Sequence, residues 1–371
     1  MSVAGTTTVP SEAPEPVQVV PDCSQSLTSD AIPSVLQTKD AKHINKTDYG
    51  SGVGRKGDVI QALVNVNLPS PTLEHVTAPF DYICSLKSKH VREKLIFSLH
   101  PWVSIARPEL ELVMSLVADI HNTSLMLDDI QDSSALRRSS PATHTVFGTP
   151  QTINSAVYFT VDTIQRASAS GNPELMQALT DGMKELLVGQ GLDLVWTLEV
   201  TTPSLEEYLQ MIDGKTGALF LMVTRLMGAF LPASAPKSPL DRLMLLLGRY
   251  FQIRDDYVNL VSTQYSDSRG FCTDLDEGKC SFMIVHAMSH AQPSARNILR
   301  NVLLQTRRAG CAGERHKELM FSILKEAGSF EYTAEMLGEM EKSLFAEVER
   351  IERTTGVKNP VLRELLDALR A

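Results

Sequence analysis

The stretch Asp128-Asp129-Ile130-Gln131-Asp132 packs three carboxylates into five residues, directly behind the apolar run Leu125-Met126-Leu127. On a helix, Asp128 and Asp132 share a face one turn apart, with Asp129 about 100° round the axis. Carboxylates this close raise one another's pKa values, so a fold tolerates them best when a cation neutralises the group. Hard oxygen donors with room for water suit Mg²⁺, which takes one or two carboxylates and completes its shell with water and substrate phosphates. Taken alone, the same residues also describe an acidic turn on a solvated helix face. A second pair, Asp255-Asp256, interrupts another apolar helical pattern that carries Leu243, Leu246, Leu247, Tyr250 and Phe251. Two such clusters facing one cavity could hold several ions. A diphosphate carries enough charge to need them, and metal on its oxygens would stabilise it as a leaving group.

Long helices must position these acids, and the rest of the chain has the pattern for them. From about residue 72 onward helical periodicity dominates and strand-like alternation is scarce. Pro108-Glu109-Leu110-Glu111 opens a helix with acids in its first turn, and Ser204 is placed to cap a second one that starts with Leu205-Glu206-Glu207. Tyr332 to Arg353 and the stretch from Pro360 read as amphipathic outer helices covering the core. With 371 residues, 43% of them hydrophobic, the chain can bury one large core. The expected fold class is all-α, with a single helical catalytic domain over residues 72–371. Residues 1–71, rich in Ser, Thr and Pro with a glycine run at Gly50 to Gly57, are expected to be a disordered tail.

At this point the chain resembles the all-trans polyprenyl diphosphate synthases, most closely their eukaryotic, fungal-like geranylgeranyl diphosphate synthase branch. The likeness rests on His121 through Asp132 followed by Arg137-Arg138, Pro141 and His144. It also rests on Ser88-Lys89-His90-Val91-Arg92, Gly189-Gln190-Gly191-Leu192-Asp193, Lys215-Thr216-Gly217, Gln252 with Asp255-Asp256, and Glu277-Gly278-Lys279. It implies the isoprenoid-synthase helical bundle with a central apolar tunnel. It further implies that an allylic diphosphate (dimethylallyl, geranyl or farnesyl) ionises, isopentenyl diphosphate attacks the allylic cation, and a proton is lost. No side-chain nucleophile is required.

The resemblance implies that Asp128, Asp129, Asp132, Asp255 and Asp256 hold Mg²⁺, three ions being bound with the allylic diphosphate. Arg137, Lys215, Thr216, Gln252, Arg269 and Lys279 would contact that diphosphate, while Lys89, Arg92, His121 and Arg138 would hold isopentenyl diphosphate. Asp128, Asp132, Lys215 and Asp255 would be the catalytic centre. Arginine suits such work because its planar fork binds phosphate oxygens in pairs. Singly, each of these has an ordinary alternative: surface lysines and arginines beside acids contribute under about 1 kcal/mol, and Lys215-Thr216-Gly217 lacks the glycine loop of a nucleotide site. Their joint occurrence makes the site.

Departures from the family pattern bear on product and metal. Asn259 stands where the widest family form has a third aspartate, Ser88 where glycine is usual, Arg269 where lysine is usual, and Leu187-Val188 where relatives often carry His-Arg. Product length is argued sterically. Thr123 and Ser124, about one turn before Asp128, are small and should let the tail pass fifteen carbons. Tyr158 and Phe159 are the expected floor near twenty carbons, which makes geranylgeranyl diphosphate the expected product. Leu187 leaves a twenty-five-carbon, geranylfarnesyl product open.

A class I terpene cyclase is the competing reading, since Asn259, Thr263 and Asp267 fall at four-residue intervals; Leu260, however, sits where its motif needs an acid. A noncatalytic partner subunit is disfavoured because both aspartate motifs are intact. The resemblance implies a homodimer or higher homo-oligomer. A net charge of −9 speaks against nonspecific nucleic-acid binding. No membrane span is expected. The five cysteines lack zinc spacing, and with no secretory, transit or peroxisomal signal the cytosol is the expected location.

Overall fold

Helices of the expected kind make up most of the described residues. A computed structural model describes residues 56–65, 70–88, 90–232, 234, 240–261 and 273–370. The chain divides into two units, Met1–Ser70 and Pro71–Ala371. In the first, residues 1–55 and 66–69 of the expected tail lie outside the described residues, and Lys56–Val64 forms a helix, α1. The second unit runs α2 (Glu74–Ser85), α3 (Val91–Leu99), α4 (Arg107–Gln131), a two-stranded hairpin of β1 (Leu136–Arg137) and β2 (Ser140–Pro141), α5 (Thr143–Phe147), α6 (Thr149–Ala169) and α7 (Pro173–Glu199). It continues with α8 (Leu205–Ile212), a π-helical turn at Asp213–Gly217, α9 (Ala218–Gly228) and α10 (Asp241–Val261). Then come α11 (Thr273–Glu277), α12 (Phe282–His290), α13 (Pro293–Ala309), α14 (Glu314–Glu326), α15 (Ser329–Thr355) and α16 (Pro360–Ala368). Among the described residues the hairpin is the one sheet, so the all-α expectation holds.

The helices begin where side chains can satisfy their first amides. Ser204 Oγ accepts from Glu207 N while Glu207 Oε2 accepts from Ser204 N at 2.7 Å, a reciprocal cap. Asn172 accepts from Glu174 N and Leu175 N, with Pro173 in the first helical position of α7. On α4 the buried face carries Leu110, Val113, Val117 and Ile120, the spacing of one helical stripe. These pack into a core shared with Leu243, Met244, Leu247 and Ile253 of α10, each fully buried aliphatic chain contributing about 2 kcal/mol. The outer helices close it: Tyr250 on α10 donates to Glu341 on α15 at 2.7 Å, and Asn359 ahead of α16 donates to the Ser98 carbonyl of α3 at 2.6 Å.

Glycine decides the closest approach in the bundle. A Cβ on Gly189 of α7 would stand 2.0 Å from the Lys215 nitrogen, and one on Gly248 of α10 would stand 2.6 Å from Gly217 Cα. The π turn is therefore clamped between two helices at backbone contact. A π turn adds a residue to the ring it closes and so re-aims the side chains that it carries; here those are Lys215 and Thr216.

Candidate functional site

Three elements converge on the C-terminal end of α4. Asp128 Oδ1 accepts from Gln190 Nε2 of α7 at 3.2 Å and lies 3.4 Å from Lys215 Nζ. Lys215 in turn donates to Asp193 of α7 at 2.5 Å. Asp132, the C-cap of α4, accepts from Lys279 Nζ at 2.6 Å, and the same ammonium lies 2.5 Å from Glu277. Burial raises the Asp132 carboxyl to about 7 although Lys279 pulls it down. Burial alone would lower the two lysines, yet Asp193 and Asp128 carry Lys215 upward and Asp132 and Glu277 carry Lys279 well upward. The result is a dense, alternating array of fixed charges.

Asp129 takes a different place. Its side chain is fully buried and ion-paired with Arg137, whose Nε donates to Asp129 Oδ1 at 2.7 Å and whose Nη2 lies 3.4 Å from Asp128. The hairpin sets this up: Arg138 and Ser139 take positive φ at its tip, which turns β2 back on β1 and holds Arg137 against the helix end. Arg137 and Asp129, expected on the diphosphate and on the metal, are thus occupied with each other.

The second motif divides in the same way. Asp255 on α10 is half-buried. Asp256 is sealed: its Oδ2 accepts from Tyr208 Oη of α8 at 2.7 Å and from Phe282 N at 2.8 Å, and its Oδ1 accepts from Gln252 Nε2 at 2.9 Å. Burial raises its carboxyl to about 6 against those three donors. Gln252 Oε1 accepts from Thr216 Oγ1 at 2.6 Å, so Thr216 and Gln252, both expected on the allylic diphosphate, lie side by side. Asn259 accepts from Asp274 N at 3.4 Å and so steadies the start of α11. Tyr208, Asp193, Gln190 and Glu277 belong to this site without being assigned to it by the sequence. Gln190, Asp193 and Glu277 stand inside motifs that the sequence does show; Tyr208 gives no signal beyond its apolar helix face.

On the α3 side of α4, a cavity of about 100 Å³ is lined by Arg92, His121 and Arg138 together with Cys84, Asn122 and Glu93. Burial and then Arg138 lower the Arg92 guanidinium to about 10, against the pull of Glu93 and Asp255. Arg92 Nε is buried without a hydrogen-bond partner among the described residues. Burial and the three arginines Arg92, Arg138 and Arg137 hold His121 well below its ordinary value. It is therefore a neutral imidazole within a cluster of cations. Such a cavity suits an anion. Lys89 and Arg269, expected on the two diphosphates, lie outside the described residues, as do Thr263 and Asp267 of the cyclase pattern.

The chain-length candidates are dispersed. Thr123 is buried in α4 and donates to Ile120 O, whereas Ser124 is exposed and donates to His121 O. Phe159 of α6 stacks on Phe80 of α2 with ring centroids 3.7 Å apart, in a small cluster with Ile83, Met126 and Ala156. Tyr158 meets the edge of Phe159 at 5.4 Å. Leu187 is 66% exposed on the outer face of α7 and is not brought to the two aromatics in the single chain.

Among the described residues no three His, Cys, Asp or Glu side chains close around one point. Asp128 and Asp132 instead offer separate carboxylate oxygens beside Lys215 and Lys279, a donor set that fits Mg²⁺, whose remaining shell comes from water and phosphate.

The model of the family described as polyprenyl synthetase matches residues 73–319. The chain is 47% identical over 317 residues to geranylgeranyl pyrophosphate synthase A of Phomopsis amygdali, covering 85% of this chain and 81% of that protein. It is 38% identical to geranylgeranyl pyrophosphate synthase 2 of Gibberella fujikuroi, over 83% of this chain and 78% of that protein. It is 42% identical to the bifunctional sesterterpene synthase astC of Talaromyces wortmannii, over 88% of this chain but only 43% of that longer protein.

Proposed function

The chain belongs to the polyprenyl synthetase family, and from that premise we propose that it joins isopentenyl diphosphate to an allylic diphosphate, with geranylgeranyl diphosphate as the product. The observation that carries this reading is two charged sites placed along one helix. Asp128 and Asp132, bridged to Lys215 and Lys279, stand at the C-terminal end of α4, and the Arg92, His121 and Arg138 cavity opens about two turns back, His121 and Asp128 being seven residues apart on one face.

Asp128, Asp132 and Asp255 would hold Mg²⁺, which supplies charge for the departing diphosphate. Lys215 and Lys279 add fixed positive charge where the negative charge of the leaving group develops. Arg92 and Arg138, with Lys89, hold the second diphosphate so that its carbon–carbon double bond faces the allylic carbon. The C–O bond to the allylic diphosphate breaks with both electrons going to oxygen. The double bond of isopentenyl diphosphate then forms the new C–C bond, and the proton lost from the resulting cation goes to the released diphosphate. Neutral His121 can donate one hydrogen bond without adding charge. Asp129 and Asp256, sealed on Arg137 and on Tyr208, support the acids beside them.

Small Thr123 and Ser124 and the aromatic pair Tyr158 and Phe159 support a twenty-carbon product, as does the likeness to two geranylgeranyl pyrophosphate synthases. A twenty-five-carbon product is the second reading, favoured by the likeness to a sesterterpene synthase and by the absence of Leu187 from the aromatic floor. A homodimer would cover the apolar residues that α6 and α7 expose: Ile153, Val157 and Val161 on one, Leu187, Val188, Val195 and Leu198 on the other. No described helix is long and apolar enough to cross a membrane, and the cytosol is the proposed place of action.

Purified chain incubated with isopentenyl diphosphate, each allylic diphosphate and Mg²⁺ should give a twenty-carbon linear alcohol after dephosphorylation, lost on adding chelator. A twenty-five-carbon alcohol would select the second reading. A cyclic hydrocarbon made without isopentenyl diphosphate would overturn both in favour of a cyclase.

A further inference from the structure

Asp256 accepts three hydrogen bonds, from Tyr208 Oη, Phe282 N and Gln252 Nε2. These come from α8, from the start of α12 and from one turn back on α10. The buried carboxylate therefore ties together the strut under the π turn, the helix that carries Gln252, and the segment just after Lys279. Three of its roughly four acceptor positions are taken, and it is 5% exposed. It also decides which way the Gln252 amide points, because a carboxylate that only accepts must face the amide NH₂. Gln252 Oε1 is thereby turned to Thr216, whose hydroxyl donates to it at 2.6 Å.

From this network we infer that Tyr208 and Asp256 are positioning residues for the allylic diphosphate site: they fix the Gln252 amide, and through it the Thr216 hydroxyl, without ligating metal. The inference rests on the condensation activity proposed above. Its chemistry makes a particular reversal testable. In Asp256→Asn, the new amide oxygen can keep Tyr208 and Phe282 N while its NH₂ faces residue 252. Gln252 must then flip, and its own NH₂ turns on Thr216. Adding Gln252→Glu restores an acceptor in both directions, toward the amide introduced at position 256 and toward Thr216, and returns the net charge of the pair to its original value.

The experiment is a steady-state condensation assay with Mg²⁺ titrated, run on wild type, Tyr208→Phe, Asp256→Asn, the Asp256→Asn/Gln252→Glu double variant, and Asp255→Asn. Inactive wild type would overturn the functional reading and the inference with it. With active wild type, Asp256→Asn should lower kcat about 10–100-fold at an unchanged half-saturating Mg²⁺, while Asp255→Asn raises that Mg²⁺ concentration by a similar factor. Tyr208→Phe, which deletes one hydroxyl and leaves the ring in place, should lower kcat in the same sense with less effect on KM for isopentenyl diphosphate. The double variant should recover most of the lost kcat. The inference fails if Asp256→Asn shifts the Mg²⁺ requirement as Asp255→Asn does, or if the double variant is no better than the single. Should Asp256→Asn not fold, Tyr208→Phe decides alone: wild-type kcat, or an altered Mg²⁺ requirement, overturns it.

Discussion

Asp132 and Glu352 are both acids that hold a lysine, half-buried and buried respectively, and their carboxyls move in opposite directions. Burial pushes Asp132 up to about 7, with Asp128 and Glu277 as like-charged neighbours, against the pull of Lys279 at 2.6 Å and of Lys215. Glu352 on α15 gathers the Arg363 guanidinium at 2.8 and 3.1 Å, Lys358 at 3.0 Å and the Asn359 amide at 2.9 Å, and it is drawn down to about 2. The second cluster is complete within the chain and ties α15 to α16. The first sets acids of like charge close together where burial works against their ionisation, the condition under which a fold gives up stability for a ligand that arrives later. The two clusters separate function from stability, and each can be tested for the property that the other has.

The largest effect should come from Asp128. Asp128→Ala removes a carboxylate that repels Asp132, so the melting temperature should stay level or rise, while turnover falls about 10²–10³-fold as a fixed charge of the reacting site is lost. Parallel loss of activity and stability would erase the comparison. Next is Gly189→Ala, whose added methyl would meet backbone at 2.0 Å on Lys215 and 2.4 Å on Gly214. Backbone cannot rotate away, so α7 must retreat from the π turn and carry Asp193 and Gln190 from Lys215 and Asp128. We expect a loss of about 1–3 kcal/mol in denaturant unfolding together with about 10²-fold in turnover, the cost of an ångström-scale misplacement. Unlike the other variants, it should damage both properties at once.

Much of this is legible from residue types. Helical periodicity around Pro108, Ser204 and Pro360 places α4, α8 and α16, and the acidic spacing puts Asp128 and Asp132 on one side of a helix end. What escapes is orientation. One-dimensional spacing sets Asp129 about 100° round the helix from Asp128 but does not say what each one meets: Asp128 goes to Lys215 and Asp129 into a sealed pair with Arg137. That pair depends on a short hairpin with no glycine at its tip, which carries no turn signal. Tyr208 and Asp256 are 48 residues apart in sequence, and no local pattern links them. Gly189 is visible as a motif letter. Its reason, a contact with Gly214 of the π turn, exists only in three dimensions. Leu187 stands out in the sequence only against the polar residues that relatives carry there, and the single chain leaves it exposed on α7.

The smallest effect sharpens the comparison from the stable side. Glu352→Gln keeps the shape of the clasp and removes the charge that Arg363 and Lys358 share. Hydrogen bonds to charged groups put the loss at about 2 kcal/mol, or about 3 °C in a chain of this size, with turnover below the transition unchanged. The pH dependence fixes the cause. The folded carboxyl titrates near 2, below the ordinary 4.5 for glutamate. Its contribution is therefore fully present above the unfolded value and is lost as pH falls from about 4.5 toward 2. Melting curves of wild type and Glu352→Gln should lie apart at pH 7 and draw together across that window. A gap that persists at about pH 2 would mean that the clasp works through packing of α15 on α16, and that the two acids differ in shape more than in charge.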